Sequence, residues 1–111
     1  MNLICEKKDA VTVIFVKEER LDAHNSGELK SELAGLFDRN EKNVLVDLRE
    51  VRFIDSSGLG ALVSGFKNAI SHHGSLKLSG LQPLVKSMFE LTRLHRVFEI
   101  FGTAEEALET Y

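Results

Sequence analysis

Tryptophan is missing from this chain of 111 residues, and cysteine, proline and tyrosine each occur once. A lone cysteine excludes an internal disulfide and every paired-cysteine metal or redox motif, so Cys5, in an apolar N-terminal strand, reads as a buried thiol in a reducing compartment. Positive charge is also short. Against 17 Asp and Glu stand 14 Lys and Arg, scattered among the acids, for a formal net charge of −3. Without a basic stripe the chain lacks the electrostatic footprint of a nucleic-acid binder. No apolar run approaches the roughly 20 residues of a membrane span. Met1 leads into an alternating strand instead of a basic-then-apolar targeting segment. Direct membrane insertion is not expected, and a cytoplasmic location is.

The composition is that of a globular protein, 43% hydrophobic and 28% charged, with seven Phe. One domain over residues 1–111 can bury roughly two-thirds of the surface its unfolded chain exposes. Leu3 to Glu6 and Val11 to Val16 read as a hairpin around Lys7–Ala10, with Val11, Val13 and Phe15 on one face. After the charged run Lys17–Arg20 and a brief apolar return at Leu21-Asp22, Asn25 and Glu28 have the spacing of a capping box. Leu29, Leu33, Leu36 and Phe37 then form a helical stripe.

Val44 to Leu48 is almost continuously apolar, which predicts a central strand covered on both faces. From about Ser57 a second helix presents Leu59, Leu62, Val63, Phe66 and Ile70, and Gly74 is placed to cap it in a left-handed conformation. A strand at Leu76–Leu78 follows. Pro83 then opens a helix with Leu84, Val85, Met88, Phe89 and Leu91 as its buried face. Val97 to Phe101 predicts a last strand, and a second capping box, Thr103 with Glu106, opens a terminal helix over Ala104–Thr110. Two strands and then alternating helix and strand predict an α/β domain with a mixed β-sheet.

Enzymatic motifs fail on inspection. Gly58 and Gly60 invite a dinucleotide reading, but Val63 stands where a third glycine is needed, and Ala61-Leu62 replaces the Lys-Ser/Thr pair of a phosphate-binding loop. A nucleophile elbow is missing because the glycine follows Ser57. His24, His72, His73 and His95 show no metal-ligand spacing, so neither a metal nor a cofactor is expected.

The segment Asp55-Ser56-Ser57-Gly58 lies where a strand ends and a helix begins. A helix N-terminus has unpaired N–H groups and partial positive charge, both favourable to a phosphate. A serine there is open to another protein's active site, and phosphorylation would add about −1.5 to −2 charges without refolding. A plain helix cap accounts for the same residues, since Asp, Ser and Gly are what such a turn prefers.

The run Val44-Leu45-Val46-Asp47-Leu48 followed by Val51 and Phe53-Ile54-Asp55-Ser56-Ser57-Gly58-Leu59-Gly60 resembles the signature of STAS domains, in particular the bacterial anti-sigma factor antagonists. The similarity extends to Leu21-Asp22-Ala23, Gly74-Ser75-Leu76 and the stretch from Leu91 to Ile100. It implies a single STAS domain and a protein that is not an enzyme. Such a protein binds an anti-sigma factor, itself a GHKL-type serine kinase, and so frees a sigma factor. By position, the resemblance implies Ser56 as the residue the kinase phosphorylates, with Ser57 the secondary candidate, and a metal-dependent phosphatase that restores binding. Asp22, Asp55, Ser56, Ser57, Gly58 and Leu59 are then the partner-binding set. Leu21-Asp22 corresponds to the family's Gly-x-Leu-Asp segment, but Glu19 replaces the glycine. Two other readings stay open: a STAS subunit with a structural role in a transporter or signalling complex, without a phosphorylation cycle, and a small-molecule or nucleotide binder using the turn for an anion.

Overall fold

Alternation along Val11–Val16 sorts the side chains between the two faces of the sheet. Val11 and Val13 point one way and Ile14 and Val16 the other, into separate apolar clusters. The structure, a computed structural model, describes residues 1–111. Strands β1 (Leu3–Lys8), β2 (Val11–Val16), β4 (Asn43–Asp47), β6 (Ser75–Ser79) and β7 (Ile100–Phe101) form the main sheet in the order β1-β2-β4-β6-β7. The β1–β2 pair is antiparallel and the remaining pairs are parallel. Strands β3 (Arg20–Leu21) and β5 (Phe53–Ile54) pair separately, in parallel. Four helices complete the fold: α1 (Ser26–Asp38), α2 (Ser56–Ser71), α3 (Pro83–Leu91) and α4 (Ala104–Leu108). This is the expected mixed α/β sheet with helices packed against it.

Helices α1, α2 and α3 cover one face of the sheet. Their Leu29, Leu33, Phe37, Leu62, Val85 and Phe89 meet Ile14, Val44, Val46, Leu76 and Leu78 in the larger cluster. Phe98 ties α2 to α3, with its ring edge-on to Phe66 at 5.1 Å and to Phe89 at 5.7 Å. On the other face α4 sets Ala104 and Ala107 over Val11, Val13 and Leu45. Strand β4, central as expected, is buried from Val44 through Asp47. Its one acid is matched inside the sheet: Asp47 accepts from the Ser79 hydroxyl at 2.9 Å and from Arg49 Nε at 3.0 Å.

Several local expectations are corrected. Cys5 is exposed, because β1 is an edge strand, open to solvent from Ile4 to Lys8. Partial desolvation and the nearby Glu32 carboxylate hold its thiol above the ordinary pKa. The hairpin turn is tighter than the predicted Lys7–Ala10, since pairing runs to Lys8↔Val11 and Asp9 adopts φ 55°. Ile70 of α2 and Leu84 and Leu91 of α3 are exposed. Helix α2 packs through small residues instead: a Cβ on Gly65 would meet Leu33 Cδ1 at 2.7 Å, so close approach to α1 sets the helix's rotation and turns Ile70 outward. In α3 a narrow stripe, Val85 and Phe89, fills the available core, and Leu84 and Leu91 lie off it.

The left-handed residue after α2 is His73, at φ 59°, and not Gly74. Gly74 is required for a different reason, since a Cβ there would overlap the Lys42 carbonyl oxygen. The last strand shortens to Ile100–Phe101 because the turn begun by the 3₁₀ segment Leu94–Arg96 carries on through Val97 and Phe98, whose N–H groups both donate to Leu94 O. Asn25 precedes α1 but makes no capping bond, its side chain being engaged by the loop before it. Thr103 does cap α4, accepting from Glu106 N at 3.1 Å, although that helix ends at Leu108.

Candidate functional site

Parallel strands finish at one end of a sheet, and the loops and helix starts that follow them gather there. Here that end holds the β3–β5 pair and the first turn of α2. The two strands align Arg20 with Phe53 and Leu21 with Ile54. Glu19 O accepts from Arg52 N at 2.7 Å and from Phe53 N at 3.1 Å, and Asp55 N donates to Leu21 O at 3.3 Å. The brief apolar return at Leu21 thus becomes a buried anchor, fully enclosed beside Ile54.

That pairing brings Asp22 and Asp55, 33 positions apart in the sequence, onto neighbouring segments. Asp55 is the N-cap of α2: its Oδ1 accepts from Gly58 N at 2.9 Å, while Oδ2 accepts from Ala23 N at 3.2 Å. One carboxylate therefore satisfies a helix-end donor and ties the loop before α1 to α2. It also takes up the Gly58 N–H that a free anion would use, which weakens the small-molecule anion reading. Asp55→Ala removes both bonds and is expected to cost about 1–2 kcal/mol. Urea unfolding at neutral pH measures it, as a lowered midpoint with an unchanged slope.

Asp22 is nearly enclosed, at 8% exposure. Its Oδ1 accepts from His24 N at 3.0 Å and Oδ2 from Arg20 Nε at 3.1 Å. The His24 N–H first, and the Arg20 guanidinium after it, hold its carboxyl below the usual carboxylate range, so it stays ionised at neutral pH. Asn25 closes the loop, accepting from Asp22 N at 3.0 Å and donating through Nδ2 to Arg20 O at 2.8 Å.

Ser56 and Ser57 are the first two residues of α2, both exposed. Gly58 and Leu59 are buried beneath them. Within the expected set, then, Ser56 and Ser57 form the outward surface. Asp22 and Asp55 brace it, and Gly58 and Leu59 seat the helix on the core. Two residues that the sequence did not single out also belong here. The Arg20 guanidinium lies 4.2 Å from the centroid of the Phe53 ring, beside Asp22. Each stands two places before an acid of the site, and period-2 alternation was the signal that could have found them.

No group of three or more His, Cys, Asp or Glu side chains could hold a metal ion, and no helix is long and apolar enough to cross a membrane.

The fold has counterparts among known proteins. A family model described as the STAS domain matches residues 2–107. The anti-sigma-B factor antagonist of Listeria monocytogenes is 36% identical over 104 residues, which cover 90% of this chain and 90% of that protein. Among solved structures, an anti-sigma-factor antagonist (STAS) domain protein from Planctomyces limnophilus has a TM-score of 0.88 at 25% identity, covering 97% of this chain and 96% of that one. The Bacillus cell fate determinant SpoIIAA in its phosphorylated form shares the fold, with a TM-score of 0.76 at 19% identity over 98% of each chain.

Proposed function

This chain belongs to the STAS domain family, among its anti-sigma factor antagonists, and from that premise we propose that it is a switch read by protein docking and reset at Ser56. Antagonists of this kind are regulatory proteins and not enzymes. In the proposed cycle the unmodified chain binds a cytoplasmic anti-sigma factor and releases a sigma factor. The anti-sigma factor, a GHKL-type kinase, then transfers the γ-phosphoryl group of ATP to Ser56. The hydroxyl oxygen bonds to the γ-phosphorus, the bond to the β-phosphate oxygen breaks, ADP leaves, and the hydroxyl proton passes to a base of the kinase. A metal-dependent phosphatase hydrolyses the ester and restores binding.

The observation that carries this reading is the position of Ser56. It is exposed at the first position of a 16-residue helix and follows the N-cap Asp55. A phosphate there sits at the positive end of the helix and leaves the core untouched, so the domain keeps its shape while one patch changes sign.

The test is to incubate the purified chain with Mg-ATP and the GHKL-type anti-sigma kinase encoded in the same genome, and to measure intact mass. One addition of about 80 Da is expected, lost in Ser56→Ala and retained in Ser57→Ala. A wild-type mass that does not move overturns the proposal. The structural-subunit reading makes the opposite forecast, with no added mass and recovery of the chain in a transporter or signalling complex.

A further inference from the structure

Leu21 and Ile54 turn into the core, so alternation lifts Arg20, Asp22, Phe53 and Asp55 onto the outer face of the β3–β5 pair. The two acids there have their oxygens engaged within the chain. Asp55 accepts from Gly58 N and Ala23 N, and Asp22 from His24 N and Arg20 Nε. Arg20 is different. Its contacts use one face of the guanidinium, over Phe53, and one N–H, on Asp22. The two Nη nitrogens, which form its outward fork, bond no other group of the chain, and the side chain is 62% exposed.

We propose that Arg20 selects the partner: its fork receives a carboxylate from an acidic docking segment of the anti-sigma factor, on the same face as Ser56. This inference rests on the switch reading of Ser56 and adds the chemistry of the surface that Ser56 controls. A planar guanidinium presents paired N–H donors that match a carboxylate, a geometry a lysine ammonium does not offer. Stacking on Phe53 and the bond to Asp22 hold the fork before the partner arrives, so less side-chain freedom is lost on docking.

The charges agree with an acidic occupant. Of Arg20, Asp22 and Asp55, Arg20 alone keeps free bonding capacity, and that capacity is for an acceptor. An acidic segment seated here is also the occupant for which a new dianion on Ser56 is most unfavourable, because like charges would then face each other across a desolvated contact. Attraction at Arg20 and repulsion at phosphorylated Ser56 thus act on the same acidic segment of the partner.

The probe is the GHKL-type kinase that modifies Ser56, titrated by calorimetry with the full chain at several salt concentrations. Arg20→Glu is expected to weaken binding roughly thirtyfold and Arg20→Lys roughly fivefold, with a shallower salt dependence in Arg20→Glu. Arg96→Glu makes the same charge change at an exposed residue of the 3₁₀ turn before β7, at the other end of the sheet, and is expected to bind as wild type. Arg96→Glu should melt as the wild type, whereas Arg20→Glu, which loses the Asp22 bond and the Phe53 stack, should melt slightly lower, so each titration is run well below the midpoint, where every variant is folded.

Wild-type affinity in Arg20→Glu overturns the proposal. So does an equal loss in Arg20→Glu and Arg96→Glu, which would mean that net charge alone matters. If Ser56→Asp releases the kinase but Arg20→Glu does not weaken it, the selecting role of Arg20 falls and the switch stands. If Arg20→Glu weakens binding but Ser56→Asp does not, the switch falls and the Arg20 contact stands.

Discussion

Replacing Ser56 by aspartate is expected to reduce affinity for the anti-sigma factor by at least about a hundredfold while leaving the protein fully folded. The two halves of that result have separate physical causes. Stability is preserved because Ser56 is exposed at the first position of α2, where a carboxylate meets the partial positive charge of the helix start. That interaction contributes a few tenths of a kcal/mol at an exposed site, so the melting temperature should stay level or rise slightly.

Affinity falls because the same carboxylate must be desolvated against the docked partner, beside Asp55 and Asp22, whose oxygens are already engaged. A loss of about 2.7 kcal/mol, the equivalent of a hundredfold, is within the range measured for like charges brought together at an interface. Calorimetric titration together with a thermal melt of the same sample checks both halves. Retained affinity would remove the switch. Lost affinity with a collapsed melt would mean that the substitution had damaged the fold. Ser56→Ala should bind as wild type and stay bound in the presence of ATP.

Gly58→Ala is expected to be the most damaging small change near the site, lowering stability by about 3 kcal/mol. A Cβ at this position would lie 2.7 Å from Ile54 Cγ1 and 3.1 Å from the Leu21 carbonyl carbon, and inside contact distance of the Leu21 oxygen. Two of these atoms belong to the backbone of β3, and Ile54 is itself only 2% exposed, so neither neighbour has room to yield. The first turn of α2 must then move away from β3. That movement strains the bonds from Asp55 N to Leu21 O and from Ala23 N to Asp55.

A drop in melting temperature of roughly 10–20 °C is expected for a domain of this size. Gly60→Ala, two residues further along the same helix, is the internal contrast. Nothing lies within 4 Å of a Cβ there. Alanine should stabilise by about 0.5–1 kcal/mol, through its better helix propensity. If both substitutions proved neutral, the close seating of α2 on β3 would be wrong.

The contrast between these glycines marks where the sequence is informative. Gly58 and Gly60 look alike in Ser57-Gly58-Leu59-Gly60, and composition offers nothing to separate them. Gly58 faces a strand contributed from 37 positions earlier, at Leu21, while Gly60 faces solvent. Similar reasoning covers the helix faces. Spacing alone nominated Ile70, Leu84 and Leu91 because apolar periodicity weighs large residues. The face that packs most closely in α2 is built from Ala61, Gly65 and Ala69, which a hydrophobic stripe undervalues.

Cys5 fails for a related cause. Alternation identifies a strand, but whether that strand lies at an edge is a property of the assembled sheet. Within the candidate site, Asp55 and Ser56 were legible from a local rule, the chemistry of a helix start. Arg20 and Phe53 were not, because each matters only beside a residue on the other strand.

Local order was thus determined by the chain itself. The alternation of Val11–Val16, the continuous apolar run at Val44–Leu48, and the polar turn opening α2 each place their element through interactions spanning a few residues, and such interactions are written in adjacent letters. Tertiary structure alone decided which elements meet. The parallel pairing of Arg20–Leu21 with Phe53–Ile54 ties the Asp22-Ala23 segment to Asp55 through the Ala23 amide and stacks a guanidinium on an aromatic ring two residues before that acid. A two-residue strand has too little propensity to announce its partner, and only burial of Leu21 and Ile54 in a shared core brings the two together.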